Sequence, residues 1–331
     1  MTFAFTAVHQ VSRPQGMPTA ENFTFVEDGL PSLASGTALV ENLYLSVDPY
    51  MRECMDGDWT MHGPLEGRSV GRVIDSRAPG LAIGDLVFHR QGWRTHAVVS
   101  AEEARVLPDL PGVPPSAFLS VLGGTGLSAY VALTRIAHLG PRENIFISAA
   151  AGGVGSSAGQ FAQLLGADRV IGSTGSADKV RHLTETLGFD AAFNYRDGEV
   201  GALLAEAAPE GIDVYLDNVG GGHLEGAISA MRPNGRIAWC GAVAQYNSTE
   251  PPAAPRNLYD IVEKTIRLEG FLVRKYPHLQ TELEEFAAPH IRSGRIVLDQ
   301  TVTDGFHSII DAFLGMLRGE NTGKMLVRAS D

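Results

Sequence analysis

The sequence predicts an α/β protein in which a doubly wound parallel sheet is combined with a β-rich, partly barrel-like domain. Three observations support this fold class. Short alternating strands fill the first third of the 331 residues, a strand–helix rhythm begins near Gly123, and a glycine-rich turn lies within that rhythm. We therefore expect one domain at residues 1–122 and 295–331, and a second at residues 123–294.

Charge and cysteine content exclude several function classes. The formal net charge is −12 at pH 7, and because phosphate groups bind basic surfaces, nucleic acid is not expected as the main partner. The two cysteines, Cys54 and Cys240, lie far apart, which excludes a disulfide scaffold and favours a reducing, cytoplasmic location. We expect no signal peptide and no transmembrane helix, since no basic segment precedes an apolar stretch and no apolar run reaches ~18 residues.

The β-rich domain is predicted from alternating segments that are separated by Pro, Gly and Asp. Leu39–Val47 and Ser69–Ile74 alternate in this way, and the turn at Gly80–Asp85 leads into another strand. From Arg295 the chain returns to strand-like segments around one predicted helix, Phe306–Leu317. We expect this tail to pack on the N-terminal β-rich segment.

The second domain has the rhythm of a parallel sheet. Apolar strand candidates recur with helical stretches between them, and a helix is predicted at Asn257–Lys264. The predicted strands are Ile145–Ala149, Arg169–Ser173, Ala191–Asn194, Val214–Asp217, Arg236–Cys240 and Ile266–Val273.

A glycine-rich turn follows the first of these strands and leads directly into a helix. Gly152 lets the backbone approach a pyrophosphate, and Gly155 permits close packing of the helix on the strand. The amides at the helix N-terminus attract phosphate, so Gly152, Gly153, Val154 and Gly155 are predicted to bind a dinucleotide in a Rossmann fold. Ala150 replaces the first glycine of the usual pattern. The alternative is a turn of small residues without a ligand, which the surrounding βα units disfavour.

The end of the second strand indicates which dinucleotide binds. An NAD site places an acid there for the ribose hydroxyl groups, but this sequence has Ser173 and Ser176 and no acid before Asp178. Lys179, in the first turn of the next helix, can neutralise a 2′-phosphate. NADP(H) is therefore favoured over NAD(H), with a solvated surface lysine as the alternative for Lys179.

Zinc ligands are missing from the sequence. Cys54 and His62 are close along the chain, but no His–Glu pair follows them, and Cys240 ends a predicted strand. No metal is expected, since a nicotinamide cofactor carries hydride chemistry without one.

Six segments of the chain, taken in order and spacing, resemble the zinc-independent group of medium-chain dehydrogenase/reductases. Within that group the similarity is to the prostaglandin reductases, leukotriene hydroxydehydrogenases and plant alkenal double-bond reductases. The segments are Leu43–Arg52, Asn144–Gly159, Leu187–Tyr195, Asp217–Gly221, Arg256–Asp260 and Arg318–Met325.

The resemblance implies a GroES-like β domain built from both chain ends, with a Rossmann domain between them. It implies NADPH as cofactor, with Lys179 and Tyr195 at the 2′-phosphate and Ser173 and Ser176 beside them. It also implies a homodimer joined through the strand at residues 266–273. Further implied cofactor contacts come from Ser128, Asn218, Cys240, Gly241, Phe271, Val273 and Asn321.

The implied reaction is reduction of the C=C bond of an enone or enal. Hydride goes to the β-carbon, and the hydroxyl of Tyr259, the family's candidate catalytic tyrosine, donates a hydrogen bond to the carbonyl oxygen. Tyr50 and Met51 are expected to line the substrate pocket. Gly124 and Thr125 replace the Met-Pro pair that the family usually has, which alters the expected shape of that pocket.

Each implied role also has a structural alternative. Tyr195 would cap its strand, and Asn218 and Asn321 would form turns. Tyr259 would pack on an amphipathic helix, and Tyr50 would belong to the core. At the level of function, the alternatives are an NADPH quinone reductase, a zinc-free secondary-alcohol dehydrogenase and a non-catalytic NADPH-binding protein.

Overall fold

The structure is a computed structural model that describes residues 4–30, 32–250 and 253–330. It divides into two compact units. The first contains the chain up to Leu119, Gln300–Asn321 and the residues from Met325 onward, and the second contains Ser120–Asp299 and Thr322–Lys324. The catalytic and cofactor roles assigned to the two domains stay predictions.

The strands and helices of both units are numbered here in chain order. The strands are β1 (Ala4–Gln10), β2 (Phe23–Gly29), β3 (Thr37–Ser46), β4 (Ser69–Ser76), β5 (Leu86–His89), β6 (His96–Ser100), β7 (Arg105–Val106), β8 (Asn144–Ile147), β9 (Arg169–Thr174), β10 (Ala191–Asn194), β11 (Ile212–Asp217), β12 (Met231–Trp239), β13 (Arg267–Gly270), β14 (Gln300–Asp304) and β15 (Lys324–Arg328). The α-helices are α1 (Met51–Cys54), α2 (Gly124–Val131), α3 (Gly153–Leu164), α4 (Ala177–Arg181), α5 (Val200–Ala207), α6 (Gly221–Ala230), α7 (Asp260–Glu263), α8 (Gln280–Arg292) and α9 (Ile309–Leu317). Short 3₁₀ turns occupy Ala20–Asn22, Pro115–Leu119, Val273–Lys275, Pro277–Leu279 and Phe306–Ser308, and π-helical turns extend α2 over Ala132–Ile136 and α4 over His182–Thr186.

The first unit is the predicted β-rich domain. Among the described residues, β1 and β2 form an antiparallel pair, and a larger sheet has the order β14-β15-β3-β4-β5-β7, with β6 also paired to β3. Trp93 is fully buried at the centre of an aromatic core, with its ring centroid 5.7 Å from that of Phe23 and 5.5 Å from that of Phe313. Because Phe313 lies in α9, the C-terminal tail packs on this unit, as the sequence predicts.

His89 is a fully buried polar residue of this unit, and both nitrogens of its ring are hydrogen-bonded. Its Nε2 lies 2.8 Å from Oδ1 of Asn42, and its Nδ1 accepts a hydrogen bond from the backbone N–H of Gln91 at 3.1 Å. Burial, reinforced by the charge of Arg94, lowers the pKa of His89 to about 3. The neutral ring therefore serves as a bridge between backbone and side chain within the core.

The second unit is a parallel sheet with the strand order β10-β9-β8-β11-β12-β13. The order reverses between β8 and β11, which makes the carboxyl ends of these strands a topological switch point, where dinucleotides bind in doubly wound folds. All four residues of β8 are buried, as expected for a strand covered by helices on both faces. The predicted Rossmann architecture is confirmed.

Two predicted elements are shorter than expected. The helix predicted at Asn257–Lys264 is helical only in α7, and the strand predicted at Ile266–Val273 is paired only in β13. The pairing of β13 ends where Gly270 faces Trp239, the last residue of β12. Beyond this point β12 offers no residue to pair with, so Val273 begins a 3₁₀ turn instead. None of the helices in the described ranges is long and apolar enough to cross a membrane.

Candidate functional site

The turn between β8 and α3 has the geometry of a phosphate-binding turn. Gly152 caps α3 in an extended conformation, and Gly153 and Val154 begin its first turn. A Cβ atom on Gly155 would lie 2.5 Å from both Ala149 O and Ala150 Cα, so only glycine lets the helix come this close. The first amides of α3 have no carbonyl partner within the helix, and together with the helix dipole they favour an anion at this end.

Gly323, for which the sequence predicts no role, completes this turn. It pairs with Gly152 in an isolated parallel bridge, and its N–H donates to Ala151 O at 2.8 Å. Its φ of +65° and the 2.1 Å that would separate an added Cβ from Asp299 O both require glycine. The glycine of the Thr322-Gly323-Lys324 segment is visible in the sequence, but its position beside the phosphate-binding turn depends on the fold.

The end of β9 has the polar groups expected for a 2′-phosphate site. The side chain of Ser173 is fully buried, and its Oγ has no hydrogen-bond partner among the described residues. Ser176 caps α4, since its Oγ accepts a hydrogen bond from the backbone N–H of Lys179 at 3.3 Å. Burial, followed by repulsion from Arg196, lowers the pKa of Lys179. A buried hydroxyl without a partner at the end of β9, followed by Lys179 in the next helix, fits a phosphate group.

Tyr195 follows β10 and lies against the end of β9. Its N–H donates to Thr174 O at 3.0 Å, and a Cβ on Gly175 would lie 3.2 Å from its hydroxyl oxygen. Its ring meets that of His223 edge-to-face, with the centroids 5.2 Å apart. His223 is buried, burial lowers its pKa to about 4, and its Nε2 has no partner among the described residues. No sequence pattern predicted a role for His223.

A buried hydrogen-bond network joins the ends of β8 and β11. The hydroxyl of Tyr215 donates to Asp217 Oδ1 at 2.7 Å, and the backbone N–H of Asn218 donates to Ser148 Oγ at 2.9 Å. The Asn218 side-chain amide also donates to Ser148 O at 2.8 Å, which fixes the loop after β11. Burial raises the pKa of Asp217, although the N–H groups of Val219 and Gly220 partly offset this effect. Asn218 therefore has an observed structural role, and its cofactor role stays a prediction.

Ser128 and Cys240, both predicted cofactor residues, are in contact. The hydroxyl of Ser128 donates to Gly124 O at 2.8 Å. Burial raises the pKa of the Cys240 thiol to about 12, although its proximity to Ser128 acts to lower that pKa, so the thiol is protonated at neutral pH. Gly241 follows, and its N–H donates to Asp217 O at 3.2 Å. Thr125 donates its hydroxyl hydrogen to Ser120 O at 2.8 Å.

The remaining predicted residues of the second unit lie near β13. Tyr259 immediately precedes α7 and is 69% exposed, so its hydroxyl is accessible. Phe271 is buried, and its N–H donates to Trp239 O at 3.3 Å. Val273 begins the 3₁₀ turn that follows. Exposure of Tyr259 is compatible with contact to a ligand, and its catalytic role stays a prediction.

Tyr50, Met51 and Asn321 belong to the first unit. The Tyr50 hydroxyl donates to Glu66 Oε2 at 3.4 Å, the Arg68 guanidinium lies 5.1 Å from its ring centroid, and burial raises the pKa of Tyr50 above its ordinary value. Met51 is fully buried in the core, and Asn321 lines a cavity beside α9. Their predicted contacts with substrate or cofactor stay predictions. In the described part of the chain, no three His, Cys, Asp or Glu side chains come together as a metal site.

Known proteins similar to this chain match almost its whole length. Residues 7–107 match the family model described as the N-terminal domain of oxidoreductase, and residues 153–289 match that described as zinc-binding dehydrogenase. The NADPH-dependent curcumin reductase of Escherichia coli is 36% identical over 96% of this chain and 95% of its own length. The NADP(+)-dependent 2-alkenal reductase of Nicotiana tabacum is 38% identical over 89% of this chain and 88% of its own length. The crystal structure of CurA from Vibrio vulnificus in complex with NADPH has a TM-score of 0.92 at 31% identity, covering 98% of this chain and 99% of that one.

Proposed function

The chain belongs to the zinc-independent group of the medium-chain dehydrogenase/reductases, and from this premise we propose that it reduces the C=C bond of α,β-unsaturated ketones or aldehydes. The observation that supports the proposal is similarity over nearly the whole chain to reductases whose names specify NADPH or NADP(+) and an alkenal or curcumin. The substrate is thus expected to be a small conjugated carbonyl compound.

The chain is an oxidoreductase, and its cofactor is NADP(H). The residues present fit this cofactor. The turn at Gly152–Gly155 would hold the pyrophosphate, and the unbonded hydroxyl of Ser173, with Lys179 and Tyr195, would hold the 2′-phosphate. When bound, NADPH supplies the hydride that the β-carbon of the substrate receives.

Tyr259 is proposed to stabilise the charge that develops on the substrate. Its exposed hydroxyl would donate a hydrogen bond to the carbonyl oxygen while remaining protonated. Tyr50, Met51, Gly124 and Thr125 are proposed to be substrate-pocket residues. Solvent would supply the proton for the α-carbon.

The reaction type is tested by product analysis. Purified protein with EDTA and NADPH is incubated with a panel of 2-alkenals and enones, and the products are separated by gas chromatography with mass spectrometry. We expect the saturated carbonyl compound. An unreacted panel would contradict the proposal. Hydroquinone formed from added quinones would support a quinone reductase instead, and NADP(+)-dependent oxidation of secondary alcohols would support a dehydrogenase. Tight NADPH binding with no turnover on any of these substrates would indicate a non-catalytic binding protein.

The role of Tyr259 is tested by Tyr259→Phe, which removes only the hydroxyl. Loss of one preorganised donor is expected to lower kcat by about a hundredfold to a thousandfold. The NADPH dissociation constant should stay within twofold of the unsubstituted value, since the phosphate site is intact. Unchanged kcat would remove Tyr259 from the catalytic site.

A homodimer joined through β13 is also proposed. This strand ends the order of the parallel sheet, so among the described residues its outer edge has no strand partner. Analytical ultracentrifugation tests the proposal, and a monomer at micromolar concentration would contradict it. A cytoplasmic location, favoured by the two free cysteines, stays a prediction to be tested by fractionation.

A further inference from the structure

Two cations lie together at the corner that follows β9 and β10. Lys179 is in the first turn of α4, and Arg196 is the second residue after β10. Phe193 pairs with Ser173 in the parallel register, so the residues after β10 run beside the turn that leads into α4. The charge of Arg196 is close enough to contribute, after burial, to the lowered pKa of Lys179. Like charges at this separation repel each other.

The charge of Arg196 is not balanced by a neighbouring acid. The described residues provide no ion pair for its guanidinium, and the carboxylate of Asp197 instead accepts a hydrogen bond from the Asn194 side chain at 2.7 Å. The guanidinium lies 5.8 Å from the ring centroid of Tyr195, a cation–π distance that restricts its position. Tyr195 thus holds a positive group at the corner where its own hydroxyl lies.

We propose that Arg196 is a second cation of the 2′-phosphate site and a determinant of the preference for NADPH over NADH. A phosphate monoester carries a charge of about −1.5 to −2 at pH 7, which one lysine does not neutralise. The planar guanidinium presents several N–H donors and binds phosphate oxygens in pairs. Binding of the doubly charged group relieves the repulsion between the two cations. The inference rests on the proposed function only for its cofactor.

The test compares the binding of two cofactors that differ only in the 2′-phosphate. NADPH and NADH are titrated by fluorescence into the full-length protein and into Arg196→Gln, which removes the charge but keeps a polar side chain. We expect the NADPH dissociation constant to rise about tenfold and the NADH constant to change less than twofold. NADPH affinity should also depend less steeply on salt in the variant, since one charge contact is lost.

Two further variants separate charge from shape and location. Arg196→Lys keeps the charge and should restore NADPH affinity to within about threefold. Arg181→Gln is the matched control, because Arg181 is an exposed arginine on α4 whose charge is already paired with Asp178. It should leave both dissociation constants within twofold.

The inference is overturned if Arg196→Gln leaves NADPH affinity unchanged, or if it weakens NADPH and NADH equally. Equal weakening would mean that Arg196 stabilises the fold of the site and does not contact the 2′-phosphate. NADH binding by the variant also reports whether the variant folds. Because the test measures binding, it is independent of whether enones are reduced. A protein that passes it but reduces no conjugated carbonyl would contradict the proposed function alone.

Discussion

The two units place a buried histidine in opposite surroundings. In the β-rich unit both ring nitrogens of His89 are hydrogen-bonded, whereas in the parallel-sheet unit Nε2 of His223 has no partner among the described residues. Burial lowers both pKa values, to about 3 and about 4, so both rings are neutral at pH 7. A shifted pKa therefore does not distinguish the two, but the state of the hydrogen bonds does.

The difference extends to other groups near the predicted cofactor site. Ser173 Oγ at the carboxyl end of β9 and Asp217 Oδ2 at the carboxyl end of β11, the strands on either side of β8, are also buried without a partner in the described structure. The β-rich unit has unpartnered atoms as well, among them the indole N–H groups of Trp59 and Trp93. Those two lie in an aromatic core, whereas Ser173 Oγ and Asp217 Oδ2 lie at the edge of the parallel sheet where a dinucleotide is expected. A buried polar atom without a partner lowers the stability of the fold, and its retention at this edge is expected where a ligand supplies the missing hydrogen bond.

The largest expected effect is the loss of the bonded histidine. His89→Leu leaves Asn42 Oδ1 and the Gln91 N–H without a partner in the core, which should reduce the free energy of unfolding by about 2–4 kcal/mol. Urea unfolding at pH 7 measures this. NADPH affinity should stay within twofold. A loss below about 1 kcal/mol would mean that the two hydrogen bonds contribute little, and that His89 is not held in place by them.

Acid should destabilise the protein through the same two rings. Because the folded pKa values lie below the usual value of 6.5, the unfolded chain binds protons that the folded chain does not. The stability contributed by each neutral ring is present above about pH 6.5 and is lost as the pH falls toward the folded pKa, by about 1.4 kcal/mol per pH unit for each ring. Lowering the pH from 6.5 to 5 should therefore reduce the free energy of unfolding by about 2 kcal/mol per histidine. In His89→Leu the free energy of unfolding should depend on pH less steeply, by the equivalent of one bound proton. An unchanged pH dependence would contradict the lowered pKa of His89.

The smallest expected change in the free energy of unfolding is an increase. His223→Phe keeps an aromatic ring against Tyr195 and removes the unpartnered nitrogen, so the free energy of unfolding should rise by about 1 kcal/mol. NADPH affinity should fall threefold to tenfold if that nitrogen is reserved for the cofactor. Urea unfolding and fluorescence titration give the two values. A variant less stable than the unsubstituted protein would show that His223 is a structural residue like His89.

The sequence predicted the parallel sheet well because buried strands such as β8 are continuously apolar, and because the turn at Gly152–Gly155 has few alternatives. The strand and the helix predicted at β13 and α7 were too long, because strand pairing and helix length there depend on neighbouring elements rather than on the local sequence pattern. Arg196, His223 and Gly323 could not be found in this way. Each comes near the dinucleotide site only through the strand order and the return of the tail, which no local spacing encodes.

The bridge between Gly323 and Gly152 bears on how this protein can be recombined with its relatives. The phosphate-binding turn receives a backbone hydrogen bond from a residue encoded more than 150 positions downstream, and Thr322–Lys324 belong to the parallel-sheet unit although the chain on either side of them does not. A chimaera that exchanges only residues 120–299 would therefore join a foreign turn to a native tail. Crossovers that carry this tripeptide along with the turn would preserve the contact, so the unit of modular exchange is discontinuous in the gene.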